Sequence, residues 1–364
     1  MNARQALTAL SLALAALTGT TAAHAQVGMD QLQVDDIAVT LVYPTPAKTT
    51  SQTIGPFTLD VAVRAPLAPG QHHLVVLSHG SGGSALPDHA LAADLARAGF
   101  VVAQPLHVGD NFQDQTQSGP ASFQRRPGEV SRVITALATN PRWSSQLQLD
   151  RVGVHGMSAG GVTGLSLAGA QWRTLNLIQH CNAHLDDDIG FCLQGATTPE
   201  QRAERLAGFE RARNAPEAFL PAALTTWHGG RNPSTPSNET RPDPRVAAVS
   251  LSVPVSAIFS ADSLARIRIP VGIVRAEADQ VLVPRFHTDH VLRHCNTCTL
   301  LADLPGAGHF DVLWPWPASV AQAVAAAQPR GGMPNPTLSP EARAAARAKI
   351  VQFHLTHLTP PNAS

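Results

Sequence analysis

The sequence has little charge and no excess of either sign. Only 14% of its 364 residues are Asp, Glu, Lys or Arg, and 26 acidic residues balance 26 basic ones. A protein that holds nucleic acid or an anionic membrane surface through charge needs a basic excess to neutralise phosphate groups. The composition therefore predicts no nucleic-acid partner and no charged-membrane partner. The hydrophobic content of 44% is ordinary for a globular protein, and the length allows one large α/β domain with an insertion.

The sequence also lacks a long, strongly apolar run of the kind that spans a membrane. Its N-terminal segment carries Arg4 and is then small and apolar from Ala6 to Ala23, but the second half of that run is rich in threonine. The string Ala23-His24-Ala25 fits the small-residue rule for signal cleavage. We therefore predict a Sec signal peptide over residues 1–25, export to the periplasm or the exterior, and no membrane span in the mature chain. A single membrane anchor is the weaker alternative.

Cysteine is scarce, and the four cysteines lie in two close pairs. The first pair brackets an acidic loop and the second is separated by two residues: Cys181 and Cys192, and Cys295 and Cys298. Because an exported protein folds in an oxidising compartment, we predict two local disulfides, one within each pair, and no metal. Sequence alone leaves other pairings open. A zinc site formed by His290, His294 and the second cysteine pair is the alternative, which the same compartment disfavours.

Buried strands alternate with helices through most of the chain. Apolar runs predict strands at Leu74–Leu77, Phe100–Ala103, Val246–Val249, Val271–Val274 and Leu300–Leu301. The segment Leu149–Val154, which also carries Asp150 and Arg151, predicts a further strand. Helical patterns fall at Pro87–Ala98, Pro127–Asn140 and Glu341–Leu358. An antiparallel edge is predicted from two alternating segments, Ile37–Val42 and Phe57–Val63. This order predicts one α/β domain over residues 26–364, with a mostly parallel central sheet covered by helices on both faces.

The pattern breaks between about residues 172 and 245, where the chain is polar, rich in proline and without an evident sheet strand. A stretch of this length, with a charged helix near Glu200–Arg213, is more than a simple connection. We predict an insertion that lies over the strand ends as a cap or lid. Trp172 and Trp227 within it are candidate pocket residues, although both can equally belong to the core of the insertion.

The residues around Ser158 carry the clearest chemical pattern. Gly156-x-Ser158-x-Gly160 follows a buried strand and precedes a helix of small residues, Val162–Ala170, as in a nucleophile elbow. Such a turn holds the serine in a strained backbone conformation, and side chains two residues before or after it would collide with neighbouring backbone. The bare pattern also occurs in ordinary glycine-rich loops, so its position at the end of a strand decides the assignment.

A serine hydroxyl needs a base to activate it, and the base needs a carboxylate to orient it. In elbow folds the chain order is serine, acid, histidine. Asp279 follows a predicted strand, and we prefer it to Glu277 because it lies deeper in the same loop. Sixteen histidines make any single one uninformative, but His309 follows the flexible Gly306-Ala307-Gly308 and precedes Phe310, which can pack against its ring. We therefore predict that Asp279 and His309 complete a catalytic triad with the serine.

Two backbone N–H groups are candidates for binding an oxyanion. One belongs to Ala159, directly after the serine. The other belongs to Ser81 in the loop His79-Gly80-Ser81-Gly82-Gly83, which resembles an H-G-G-G turn after a buried strand. That loop lacks the spacing and the lysine of a phosphate-binding P-loop. His79 and Phe310 are further candidate pocket residues.

The remaining histidines are predicted to be structural. His155, beside the elbow, is expected to be a packed neighbour rather than the base. Seven others are expected to lie on the surface: His72, His73, His287, His290, His294, His354 and His357.

Taken together, several motifs resemble those of the α/β-hydrolase superfamily. They are Leu77–Gly83, His107–Asn111, Arg126-Pro127, Leu149–Gly161 and Gly308–Phe310. Within that superfamily the chain is similar to the bacterial predicted dienelactone hydrolase group, which is related to platelet-activating-factor acetylhydrolases. The likeness covers roughly residues 35–358 and is poor in the 172–245 insertion. It implies an α/β-hydrolase fold, the triad named above and hydrolysis of carboxylic esters without a cofactor.

The chain departs from the relatives it resembles at two positions. True dienelactone hydrolases have a cysteine nucleophile, whereas the elbow here carries a serine. Secreted polyester hydrolases often carry a tyrosine at the second oxyanion position, and the only tyrosine of this chain is Tyr43. Dienelactone is therefore not the expected substrate, and polyester cleavage stays open.

The sequence thus predicts an exported serine esterase that acts on a small-molecule or polymeric ester. The nearest alternatives are a serine peptidase or amidase, or an acyltransferase, on the same scaffold. A third alternative of another class is a non-catalytic binding protein that has kept the fold.

Overall fold

A ten-stranded sheet forms the centre of the protein. The computed structural model describes residues 25–193, 196, 198–214, 227–228, 242–327 and 331–359, so the predicted signal peptide lies outside the described residues except for its last residue. The strands are β1 (Gln26–Val34), β2 (Ile37–Thr45), β3 (Thr50–Ile54), β4 (Phe57–Val63), β5 (His72–Ser78), β6 (Val101–Pro105), β7 (Leu147–Met157), β8 (Trp172–Arg173), β9 (Trp227–His228), β10 (Val246–Ser252), β11 (Val271–Ala276) and β12 (Cys298–Leu304). The sheet order is β12-β11-β10-β7-β5-β6-β2-β1-β4-β3, and β8 pairs with β9 in a separate two-stranded sheet.

Helices cover the sheet on both faces. They are α1 (His89–Arg97), α2 (Pro120–Thr139), α3 (Ala159–Leu167), α4 (Thr174–His184), α5 (Ile189–Cys192), α6 (Pro199–Asn214), α7 (Ala261–Leu264), α8 (Thr288–His294), α9 (Ala318–Ala327) and α10 (Pro340–Leu358). Leu74 and Val76 of β5 join a hydrophobic core with α2 and α3, whereas Val75 and Leu77 join a second core with α1 and α10. Successive side chains of a strand point to opposite faces, so Leu74–Leu77 of β5 form a continuous apolar run because both faces are covered. No helix in the described part of the chain has both the length and the apolar character needed to cross a bilayer.

The six strands from β12 to β6 run parallel, so their carboxyl ends meet at one edge of the sheet. The predicted antiparallel edge is confirmed, since β2 pairs antiparallel with β6 and β4 pairs antiparallel with β3, although β2 and β4 are not neighbours. β1 lies between them, antiparallel to β2 and parallel to β4, and β3 completes this end of the sheet. Neither β1 nor β3 was predicted, because β3 is polar and largely exposed and β1 mixes glutamines with its apolar residues.

One helix begins earlier than its sequence pattern indicated. The predicted helix Pro127–Asn140 is the second part of α2, which begins at Pro120 and continues through Pro127. Proline is tolerated in the first turn of a helix because that N–H has no partner there. Within α2 the apolar side chains that pack on the sheet, such as Phe123 and Val130, stabilise a helix that the internal proline disfavours.

The insertion contains α4, α5, α6 and the β8–β9 pair among its described residues. Cys181 and Cys192 form a disulfide that joins α4 to α5, and Cys295 and Cys298 form a second one, as the sequence predicted. The second disulfide also removes its two thiols as possible zinc ligands. The action of the insertion as a cap stays a prediction.

Four histidines predicted to lie on the surface are buried. They are His72, His73, His287 and His354, each at most 8% exposed. The buried rings of His354 and His155 both contact the hydroxyl of Ser250, at 2.8 Å each. Burial lowers the pKa of both rings to about 3. His155 is therefore a packed, neutral neighbour of the elbow strand, as predicted, and His354 is its partner from α10.

Candidate active site

The sharp turn between β7 and α3 carries Ser158. Its backbone has φ +55° and ψ −115°, in the half of conformational space that residues other than glycine rarely adopt. Two hydrogen bonds to its carbonyl oxygen hold this strained conformation, one from the N–H of Gly161 at 2.8 Å and one from the N–H of Val255 at 2.9 Å. The turn places the serine at the carboxyl edge of the parallel strands.

The glycines on either side of Ser158 are required by close backbone contacts. A Cβ atom on Gly156 would lie 2.1 Å from the carbonyl oxygen of Gly160, and one on Gly160 would lie 1.9 Å from that of Ser78. Both distances are far inside van der Waals contact, so no larger residue fits unless backbone moves. The G-x-S-x-G spacing therefore follows from the close packing of β5, β7 and the first turn of α3.

Ser158, His309 and Asp279 form a continuous chain of hydrogen bonds. Nε2 of His309 lies 3.0 Å from Oγ of Ser158, and Nδ1 of the same ring lies 2.7 Å from Oδ2 of Asp279. The three residues are 3%, 2% and 4% exposed in the order of the chain of hydrogen bonds. Because an ionised carboxylate can only accept, Nδ1 carries the ring proton and Nε2 is left to accept from the serine hydroxyl. Such an arrangement can generate an activated serine nucleophile.

The loop after β11 fixes the carboxylate of Asp279. Its Oδ1 atom accepts hydrogen bonds from the N–H groups of Val281 and Leu282, both at 2.8 Å, which leaves Oδ2 for the imidazole. Glu277, the alternative acid, is exposed, and its carboxylate accepts from the N–H of Gly306 at 3.0 Å. The structure therefore brings Asp279, and not Glu277, to the imidazole.

A buried ion pair anchors the loop that carries His309. Asp311 lies two residues later and accepts hydrogen bonds from the N–H groups of Gly308 at 2.8 Å and Asn335 at 3.0 Å. Arg343 of α10 donates to the same carboxylate at 2.5 Å. No sequence motif marks this pair, although a lone carboxylate within the apolar string that follows His309 is a signal that could have indicated it.

The two candidate oxyanion donors lie on either side of the serine. Ala159 begins α3, at the positive end of that helix. Ser81 lies in the loop after β5, where a Cβ atom on Gly80 would lie 3.4 Å from Cβ of Ser158. In the same loop, the N–H of Gly82 donates to the carboxylate of Asp110, and the N–H of Gly83 donates to the carbonyl of Gly80. By contrast, the N–H groups of Ser81 and Ala159 have no acceptor among the described residues, so both are available to a bound oxygen.

A second chain of polar side chains lies buried beneath the elbow. Oγ of Ser78 lies 2.8 Å from Nε2 of His107, and Nδ1 of that ring lies 2.6 Å from Oε2 of Glu129. The Ser78 hydroxyl donates to Thr163 at 3.0 Å, so it accepts from His107. Burial lowers the pKa of His107 well below its usual value and raises the pKa of Glu129 to about 7. Nε2 of His107 therefore carries the ring proton and donates it to Ser78, whereas Nε2 of His309 accepts from Ser158. Because His107 cannot accept a proton from Ser78 in this arrangement, this chain cannot activate a serine.

Three of the four candidate pocket residues, His79, Trp172 and Phe310, lie at different depths. His79 is buried, and its Nε2 atom accepts from the N–H of His107 at 3.1 Å. Trp172 has no exposed surface and packs edge-on against Phe123, with ring centroids 5.8 Å apart, so it belongs to the core. Phe310 packs edge-on against the ring of His309, with centroids 4.9 Å apart. The side chain of Trp227 lies outside the described part of the chain, and the assignment of these residues to a pocket stays a prediction.

Three possible metal ligands lie together within the described ranges: His180, Asp188 and His287. We call these residues the Asp188 cluster. Nδ1 of His287 accepts from the N–H of Ser256 at 3.1 Å, so Nε2 carries the proton and donates it to Oδ2 of Asp188 at 2.9 Å. Nε2 of His180 lies 2.8 Å from the same oxygen. A metal-bound nitrogen carries no proton, so the cluster is arranged as a shared hydrogen-bond acceptor and not as a metal site. The N–H of Val283 donates to the other oxygen at 3.2 Å, which ties the cluster to the loop of the acid.

Comparisons with known proteins identify the fold but no family. No family model matches the chain, and no curated protein matches it. Among solved structures, that of a ferulic acid esterase from Streptomyces cinnamoneus matches with a TM-score of 0.55 and 17% sequence identity, over 94% of this chain and 93% of that one. This likeness shows an α/β-hydrolase-like fold. The dienelactone hydrolase group that the motifs resemble receives no support from these comparisons.

Proposed function

We propose that this protein is a serine hydrolase of carboxylic esters that works through an acyl-enzyme. The observation that carries the proposal is the hydrogen-bonded chain from Ser158 through His309 to Asp279. Two further observations support it. The serine lies at the carboxyl edge of an α/β-hydrolase-like sheet, and two N–H groups without a partner in the described chain flank it, one on each side.

In the proposed reaction Oγ of Ser158 attacks the ester carbonyl carbon while Nε2 of His309 takes the hydroxyl proton. The N–H groups of Ser81 and Ala159 stabilise the negative oxygen of the tetrahedral intermediate. When the bond to the alcohol breaks, the imidazolium returns its proton to the leaving oxygen, and the acyl group stays on the serine. Water then attacks the acyl carbon and gives one proton to Nε2 of His309. The imidazolium returns that proton to Oγ of Ser158 as the bond between Oγ and the acyl carbon breaks, which releases the carboxylic acid and restores the serine. Asp279 keeps the ring in the required tautomer throughout.

We also propose that the protein acts after export, in an oxidising compartment. The two disulfides support this placement, because such bonds persist outside the cytosol. The proposed substrate is a small-molecule or polymeric ester, and its hydrolysis needs no cofactor. The name of the structural neighbour makes a ferulate ester one useful member of a test panel.

The experiment is an ester panel of increasing acyl length, with a ferulate ester included, measured on the wild type and on two serine variants. Ser158→Ala should lose activity by roughly three orders of magnitude or more. Ser166→Ala is the matched control, since Ser166 is 1% exposed in the same helix and outside the hydrogen-bonded chain. Equal hydrolysis of the panel by wild type and Ser158→Ala would refute the proposal.

Two further measurements separate this function from its alternatives. A fluorophosphonate probe should label Ser158 and no other serine, as located by mass spectrometry, whereas a binding protein would not react. Faster turnover of peptide anilides than of esters would indicate an amidase. A new ester formed from an added alcohol, at the expense of hydrolysis, would indicate an acyltransferase.

A further inference from the structure

A buried ion pair lies behind the loop that carries Ser81. Nη2 of Arg126 lies 2.7 Å from Oδ2 of Asp110, and the two side chains are 1% and 0% exposed. Asp110 belongs to the loop after β6 and Arg126 to α2. Two charges taken out of water are costly unless further hydrogen bonds satisfy their remaining donors and acceptors. Here many of those hydrogen bonds go to the loop of the candidate oxyanion donor.

Asp110 contacts this loop through one carboxylate oxygen. Its Oδ1 atom accepts from Oγ of Ser81 at 2.6 Å and from the N–H of Gly82 at 2.9 Å. The hydroxyls of Ser118 and Ser122 donate to the carboxylate at 2.7 Å each. Burial alone would raise the pKa of Asp110, but the guanidinium and the serine hydroxyls hold it well below its usual value. The carboxylate is therefore ionised at neutral pH and acts only as an acceptor.

Arg126 contacts the loop through its carbonyl groups. Nη1 donates to the carbonyl of His79 at 2.5 Å, and Nη2 lies 3.4 Å from the carbonyl of Gly80. That carbonyl also accepts from Nδ1 of His79 at 2.7 Å and from the N–H of Gly83 at 3.1 Å. The Gly80 carbonyl and the Ser81 N–H belong to one planar trans peptide unit and point in opposite directions. Whatever fixes the carbonyl therefore fixes the direction of the N–H.

We infer that Asp110 and Arg126 are positioning residues that hold the Ser81 N–H in the direction needed to bind the oxyanion. The inference rests on the proposed function, because the role belongs to that reaction. Neither side chain needs to touch substrate, since both act through the loop. A donor that is already oriented stabilises the transition state without reorganisation, so its loss lowers kcat and leaves KM nearly unchanged.

The test uses Asp110→Asn and Arg126→Lys in the full-length protein. Asparagine keeps the size and loses the charge, and lysine keeps the charge but cannot reach the carbonyls and the carboxylate together. Each change should lower kcat roughly 10- to 100-fold, less than the complete loss of an oxyanion donor. Binding of a trifluoromethyl ketone, whose serine adduct carries the oxyanion, should weaken by the same factor as kcat/KM.

Asp243→Asn provides the matched control. Asp243 is 6% exposed and pairs with Arg245 at 2.6 Å. It lies before β10, at the amino ends of the parallel strands, whereas the serine lies at their carboxyl ends. Its loss should lower the melting temperature and change kcat less than about twofold. If Asp110→Asn does not fold, Ser81→Ala removes one hydroxyl donor while it keeps the N–H, and kcat should fall about 3- to 10-fold, the value of one hydrogen bond.

The outcomes separate this inference from the proposed function. If wild-type hydrolysis depends on Ser158 but the Asp110 and Arg126 variants lose only melting temperature, as Asp243→Asn does, the pair is structural and the inference is overturned. A change in KM with an unchanged kcat overturns it as well. If the wild type shows no hydrolysis that depends on Ser158, the proposed function and this inference fail together.

Discussion

Replacing Asp279 with asparagine changes one functional atom and should nearly stop the reaction. The N–H groups of Val281 and Leu282 hold Oδ1 at 2.8 Å, so the amide oxygen must take that position and the amide nitrogen the position of Oδ2. That nitrogen then faces Nδ1 of His309 across 2.7 Å and offers protons of its own. The ring has to accept at Nδ1, so its proton moves to Nε2, which can no longer accept from Ser158.

The expected loss is roughly 10⁴-fold in kcat, the size known when a serine triad loses control of its histidine tautomer. This corresponds to about 5.5 kcal/mol of transition-state stabilisation. KM should change little, because the substrate does not contact Asp279 in the proposed reaction. The assay is the initial rate on a short-chain p-nitrophenyl ester, with the melting temperature measured on the same samples.

Glu277→Gln is the matched control for this change, since Glu277 is the neighbouring acid and is exposed. Its kcat should stay within about threefold of the wild type. A folded Asp279→Asn variant that keeps a rate within about tenfold of the wild type would show that Asp279 does not control the tautomer of His309. A larger loss in Glu277→Gln than in Asp279→Asn would assign the acid to the other residue.

Three further predictions concern stability and the elbow. Burial raises the pKa of Asp88 from 3.8 to about 7, so the folded form binds this proton more tightly and the free energy of unfolding falls as pH rises through that range. In urea unfolding, the stability of Asp88→Asn relative to the wild type should therefore increase by about 2 to 3 kcal/mol between pH 5 and pH 8. A stability difference that does not vary with pH would contradict this prediction. Gly160→Ala forces a methyl group to within 1.9 Å of the Ser78 carbonyl and should abolish ester hydrolysis; wild-type rates in this variant would show that the elbow is less tightly packed. Arg343→Met leaves the Asp311 carboxylate buried without its cation, which should cost about 3 kcal/mol or more and lower kcat, and a stability loss with an unchanged kcat would argue against an anchoring role.

The central strands could be predicted from the sequence because both of their faces are covered by helices. The predicted apolar runs Leu74–Leu77 and Val246–Val249 lie within β5 and β10 in the core of the sheet. Both strands extend beyond these runs, because strand pairing continues past the apolar residues. β1 and β3 could not be found in this way. β3 lies at the exposed end of the sheet, where apolar side chains have nothing to cover them.

The partners of buried polar side chains were much harder to predict. His287 and His354 look like surface residues in the sequence, but they bond to Asp188 and Ser250, which are 99 and 104 residues away. No local pattern records such a pairing. Several contacts of Arg126 could not be predicted for another reason, since they are made to backbone carbonyls, which every residue has.

The candidate site was easier to assemble because chain order restricts it. An elbow serine limits the acid and the base to positions after it, at the ends of later strands. That rule restricts the acid to Asp279 or Glu277, and the glycine-rich loop that precedes His309 favours this residue as the base. The structure places Asp279 and His309 within hydrogen-bond distance of each other. Asp311 was not predicted, because a residue that holds a loop in place leaves no recognisable sequence motif.

The Asp188 cluster bears on how a substrate reaches the serine. The cluster joins α4 to the segment before α8. The Cys181–Cys192 disulfide links α4 covalently to α5. The backbone of α5 also packs closely on the loop of Asp279, since a Cβ atom on Gly190 would lie 2.6 Å from the carbonyl of Gln280. A flap that swung on a hinge at the start of the insertion would have to break these contacts together and strip a buried carboxylate of its donors. We therefore expect α4 and α5 to move with the sheet as one rigid piece, so that entry and exit of the ester occur without displacement of these two helices.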